Sequence, residues 1–207
     1  MSDLLPGQGL LLFLVIIAGT PGPLNLAIFA IGLANRARLG LGVVIGGALA
    51  YGVLYAVTSA HARRIADLNP NVFDGLQMMA AAILVWLGWK IAMSEVGQTR
   101  ADSRLARSGN GFGAGIAAGI GVVAVGTKSW SSAISAGLLF EPDAVAIPLH
   151  AFRFGGTALI AVASLSCLWL LGGLIAGRTI SSPAALRTVN MAGGGCLALM
   201  AGVILVA

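Results

Sequence analysis

Apolar residues dominate this chain in long runs, and the few charged residues mark where each run stops. The first charge-free run lies between Asp3 and Arg36, and the second between Arg38 and Arg63. A third, shorter run lies between Asp74 and Lys90; it spans if Lys90 snorkels and Ile91 to Met93 complete the helix. The fourth starts after Arg107 and continues through Lys128 to Phe140. The fifth, Phe154 to Gly177, is wholly uncharged, and the sixth follows Arg187 to the C-terminus. A spanning helix needs about 20 residues. The pattern therefore predicts an all-α integral membrane protein with six transmembrane helices, folded as one domain over residues 1–207.

The connections are short and polar: Asn35 to Arg38, Ala62 to Asn71, Ser94 to Asn110, Glu141 to Asp143 and Arg178 to Arg187. Asn69-Pro70-Asn71 is a turn signal. The longest connection, Ser94 to Asn110, divides the chain into halves of about 1–100 and 101–207, with three spans each. An odd number of spans per half gives the halves opposite orientation. That is the inverted-repeat plan of many secondary transporters, whose sites lie at the midplane on broken helices.

Composition agrees with the pattern. Hydrophobic residues make up 58% of the chain and charged residues 9%, against about 25% charged in soluble domains. The formal charge of +5 does not point to nucleic acid, because the basic residues are scattered between apolar runs and form no polar face. They report topology instead. Eight Lys and Arg fall in the first, third and fifth connections; Arg63 and Arg64 alone fall on the other side. The positive-inside rule then places both termini outside the cytoplasm, in a protein of the cytoplasmic membrane. The N-terminus lacks the positive region of a signal peptide, so the first run reads as a span.

Two spans carry breaks. The first reads Gly19-Thr20-Pro21-Gly22-Pro23-Leu24-Asn25. Pro21 and Pro23 remove two backbone donors and free carbonyls one turn earlier. Gly22 permits an unwound bend and close ligand approach, and Thr20 and Asn25 add polar side chains. A plain kink is the alternative. The second break reads Gly126-Thr127-Lys128-Ser129 and repeats the Gly-Thr lead-in. A lysine in mid-membrane costs about 3 kcal/mol even on the lenient insertion scale. Snorkelling to an interface is the alternative, but the uncharged flanks leave the stem near its limit of reach. Both costs make sense if the breaks face each other across a polar cavity, where Lys128 meets a substrate carboxylate. Tyr51 and Tyr55, one turn apart, either line that cavity or pack in the core.

Other features read as structural. Gly42-x-x-x-Gly46, Gly111-x-x-x-Gly115-x-x-x-Gly119 and Gly173-x-x-x-Gly177 are small-residue stripes for bundle packing, with a homodimer contact as the alternative. Cys167 and Cys196 are small packing residues in apolar runs. Arg153, near His150 and downstream of Glu141 and Asp143, reads as an interfacial anchor, with a gate as the alternative. No metal spacing, phosphate loop or nucleophile-base pair is visible within the spans, so neither an enzyme nor a cofactor is expected.

Thr20-Pro21-Gly22-Pro23, with Gly32-Leu33, Arg36 and Gly40 after it, resembles the N-terminal signature of the lysine exporter (LysE/RhtB) family of amino-acid exporters. Leu87-Gly88-Trp89-Lys90 resembles the end of that family's third segment, and Phe154 to Gly177 and Asn190 to Ala207 resemble its last two. The family's Asn-Pro-Lys in the fourth segment stands here as Gly126-Thr127-Lys128, and a family aromatic is Ile83. The resemblance implies proton-driven export of an amino acid or related small zwitterion. A passive channel for a small polar solute is the alternative. No carboxylate lies within a span, so Lys128, Asp74 and Glu141 stay open as proton carriers.

Topology is directly testable. Reporter fusions at Gly97 and Ala207 are expected to read cytoplasm and exterior respectively. A cytoplasmic signal at Ala207 would remove the six-span arrangement.

Overall fold

The computed structural model describes residues 6–66, 111–140 and 147–179, with isolated positions at 78, 82, 85 and 89 and at scattered places from 182 to 202. The described residues form helices and no strand. In chain order these are α1 (Pro6–Gly19), α2 (Pro23–Leu33), α3 (Ala37–Ala66), α4 (Gly111–Val125), α5 (Thr127–Leu139) and α6 (Ile147–Thr179).

The first and fourth apolar runs are each one bent pair. α1 and α2 meet at 53°, and α4 and α5 at 64°. α3 and α6 are unbroken and apolar enough to cross a membrane. The described residues therefore hold two continuous spans, and up to four if each bent pair counts as one. Most of the third and sixth expected spans, Asp74, Ile83, Lys90 and Cys196 among it, lies outside the described residues. Within them, Met78, Ala82, Val85 and Trp89 are helical and exposed, at the spacing of one helix face. Glu141 and Asp143 also lie outside the described residues.

α6 starts earlier than the uncharged run from Phe154 to Gly177 suggests. It begins at Ile147 and has 33 residues, which is about 50 Å against a hydrocarbon core of about 30 Å. His150 and Arg153 thus sit in its first two turns. Arg153 is exposed, so its charge needs no buried partner. At the other end of the first bent pair, α2 closes with a Schellman turn. The Asn35 amide reaches Gly32 O at 2.8 Å and the Arg36 amide reaches Ile31 O at 3.2 Å. Asn35 takes a positive φ of 55°, which asparagine tolerates.

α3 lies against α4, α5 and α6, and α2 lies against α6. The core between them is built from Leu14, Ile28, Val43, Val44, Tyr55, Val123, Ala133, Ala136, Phe154 and Ala158. The outward faces are apolar too: Leu41, Ile45, Leu49, Val53 and Val57 form one exposed stripe along α3. A helix apolar all round suits a membrane, where close approach rather than water exclusion drives packing.

The glycine stripes supply that approach inside the chain. A Cβ at Gly42 or Gly46 would strike the α4 backbone at Phe112 O or Ile116 O, and one at Gly115 or Gly119 would strike Leu39 O or Val43 O. A Cβ at Gly173 or Gly177 would strike Phe29 O or Leu33 O on α2. Gly42, Gly46, Gly115, Gly119, Gly173 and Gly177 are thus taken up by α3–α4 and α2–α6 packing, the bundle reading of these stripes. Cys167 packs at the core edge, as its sequence setting suggests.

Gly119→Leu is expected to destabilise the detergent-solubilised protein by about 2 kcal/mol or more, since backbone cannot yield to an added side chain. Gly121→Ala meets open space and should leave the melting temperature within about 1 °C of the parent, as surface changes do.

Candidate functional site

A proline break leaves carbonyls that lipid cannot satisfy. Pro21, Gly22 and Leu24 would have served Ile17 O, Ala18 O and Thr20 O in a continuous helix. Each of these oxygens has found another donor. The Thr20 hydroxyl donates to Ile17 O at 2.9 Å. The Asn25 amide Nδ2 donates to Ala18 O at 2.7 Å and to Thr20 O at 3.1 Å. Lys128 Nζ donates to Thr20 O at 3.2 Å and to Thr20 Oγ1 at 2.7 Å. The lysine of the second break thus seats on the first.

Gly22 makes the seat possible. It is extended, with φ −153° and ψ 171°, a conformation open to any residue. Its value here is size: a Cβ at this position would lie 3.1 Å from Lys128 Nζ and 3.3 Å from its Cδ. The lysine lies flat on bare backbone.

The second break is repaired in a similar way. Gly126 stands between α4 and α5, and its amide bonds Val123 O at 3.2 Å. The Trp130 indole donates to Ala124 O at 2.8 Å, covering a carbonyl at the end of α4. Ser129 Oγ donates to Tyr51 OH at 3.0 Å, tying α5 to the middle of α3.

Between the breaks lies a small cleft, partly open to the outside, with a cavity volume of about 30 Å³. Ile17, Leu24, Val122 and Val162 make its apolar wall. Gly22, Asn25, Tyr51, Gly126, Lys128 and Ser129 make its polar side. Among the described residues the lining holds one cation and no carboxylate. α2 and α5 both begin here, and neither has a side-chain cap at its N-terminus. Uncapped N-termini present free N–H groups and a partial positive charge. Lys128 and the two helix ends together favour an anionic group.

The residues singled out from sequence divide into four groups, the last being Tyr55 alone. Gly22, Pro23, Asn25, Lys128 and Tyr51 line the cleft. Thr20 is exposed but holds Lys128. Pro21 and Thr127 shape the breaks without lining the cleft. Asn25 lines the cleft while its amide Nδ2 is engaged with the broken backbone. Tyr55 takes the core reading of its two: it is fully buried and packs on Tyr51 and Phe154. Sequence reasoning missed Ser129, which follows Lys128 directly, and the wall residues Val122 and Val162. The serine was legible as a polar residue in the break. The valines carried no signal among so many aliphatic neighbours.

No protein-family model matches the chain, and no solved structure does. In sequence it is similar to curated proteins described as "Cysteine/O-acetylserine efflux protein" from Salmonella typhimurium (strain LT2) and Salmonella typhi. Identity is 32% over 82 residues, which is 40% of this chain. The match spans 42% of the length of those relatives. Their names describe export rather than catalysis.

The repair of the first break is open to measurement. Asn25→Leu leaves Ala18 O without its donor and is expected to cost about 2 kcal/mol in thermal unfolding, the penalty of a buried orphan group. Thr20→Val removes a more exposed bond and should cost about 1 kcal/mol or less.

Proposed function

We propose that this chain is a secondary exporter of amino acids or related small zwitterionic metabolites, of the lysine exporter type. The observation that carries the reading is the convergence of both broken spans on Lys128. A charge held in mid-span beside two open helix N-termini is costly without an anionic partner. A substrate carboxylate supplies that partner, and the apolar wall lies where the rest of a small molecule would sit once the cleft widens. The efflux names of the partial relatives and the Thr20-Pro21-Gly22-Pro23 signature support the same reading.

The proposal extends to six spans in the cytoplasmic membrane, arranged as two inverted halves, with both termini outside. Substrate enters the cleft from the cytoplasmic side, exchanges contacts with Lys128, and leaves after the halves rock. The proton gradient supplies the driving force.

Efflux from cells loaded with dipeptides tests this. Lys128→Met keeps the apolar stem and removes the charge. It is expected to insert normally and to lose efflux on the order of tenfold or more, matching a charge-assisted contact of about 1.5–3 kcal/mol. Lys128→Arg should rescue partly at best, because a planar fork differs from a compact ammonium. Parental efflux by the Met variant would remove Lys128 from the site. Efflux that merely equilibrates, and persists with an uncoupler, would replace the exporter by a passive facilitator.

A further inference from the structure

A second polar and aromatic assembly lies one side of the cleft, and the substrate site does not use it. Phe13 of α1 meets Phe140 at the end of α5, edge to face, with ring centroids 6.3 Å apart. Phe140 meets Phe154 of α6 at 6.5 Å. Phe154 meets Tyr55 of α3 at 5.9 Å, and His150 stacks on Phe154 at 5.3 Å. Tyr55 meets Tyr51 at 6.0 Å, and Tyr51 lines the cleft. The cluster is therefore continuous with the cleft at one residue.

Four helices contribute, and each does so on the same side of the cleft. Phe13 lies one turn before Ile17 on α1. Tyr55 lies one turn after Tyr51 on α3. Phe140 closes α5 three turns after Lys128, and Phe154 lies two turns before Val162 on α6. These helix ends border the second and fourth connections, the side that the charge distribution places outside.

We propose that Phe13, Tyr55, Phe140 and Phe154 are the gate that closes the Lys128 cleft toward this side. The inference deepens the exporter reading and rests on it. An alternating-access carrier must hold its midplane site shut on one side at a time. Large rings from separate helices do this by packing, and they part when the helices move. One feature makes the closed cluster ready to open. Tyr55 OH and His150 Nε2 are buried without a hydrogen-bond partner among the described residues. Water admitted on opening would satisfy both, so hydration favours the open state.

The test reads access rather than transport. A single cysteine is introduced by Val122→Cys, in a chain whose Cys167 and Cys196 are replaced by alanine. A membrane-impermeant maleimide is applied to intact cells and, separately, to inside-out vesicles. In the parent, labelling from the cell exterior is expected to be slow. Phe154→Leu and Phe140→Ala are each expected to speed it at least about tenfold, as a shift in the open population would. Phe152→Ala, on a ring 79% exposed, should change nothing. A buried reporter, Ala48→Cys, stays protected in every variant that is scored. Fast exterior labelling of the parent, or unchanged labelling in both ring variants from both sides, would overturn the gate. Acceleration seen only in inside-out vesicles keeps the gate and reverses its side. No substrate is present, so the gate can fail while efflux through Lys128 survives, and the reverse outcome is equally visible.

Discussion

Backbone oxygens that have lost their helical donors decide how this molecule is built. In water a proline break is inexpensive, because solvent bonds the freed carbonyls. In hydrocarbon no solvent is present, and each orphan costs several kcal/mol. The first break is tolerated because Thr20, Asn25 and Lys128 reach the oxygens of Ile17, Ala18 and Thr20. One of those donors comes from the other half of the chain. The same contact that repairs the first break therefore draws the second break to it and sets the position of the cleft.

Repair and binding compete for the lysine. Lys128 has three N–H bonds and gives two to Thr20. A substrate carboxylate would take the remaining donor or displace Thr20, whose carbonyl keeps the Asn25 amide in either case. The site can thus exchange partners without leaving the backbone bare. Such an exchange suits a carrier, which must bind firmly enough to select and loosely enough to release.

Glycine makes the rest of the frame. Removing Cβ at Gly42, Gly46, Gly115 and Gly119 lets α3 and α4 meet backbone to backbone, and Gly173 and Gly177 do the same for α6 against α2. Between these joints the packing depends on fewer and larger groups. The aromatic cluster from Phe13 to His150 is where side chains rather than backbones hold helices together. Rings can part with a small helix movement; interlocked backbones cannot.

Much of this was legible in the residues. Charge-free runs located the described spans, because the bilayer imposes a length and excludes charge. Two prolines flanking a glycine, and one lysine amid uncharged residues, announced both breaks, because each violates what lipid permits. The described boundaries departed from the pattern at α6, where His150 and Arg153 continue the helix; a helix continues past the hydrocarbon wherever its polar residues reach water or stack. What pairing the chain adopts was decided by tertiary structure alone. Tyr51 and Tyr55, one turn apart, read alike from sequence, yet Tyr51 lines the cleft and Tyr55 is sealed in the core. The glycine stripes read the same for a neighbour in the chain and for a second copy. Sequence records the type of each group and its distance along the chain. Which donor reaches which orphaned oxygen depends on helix crossing, and only the folded bundle specifies that.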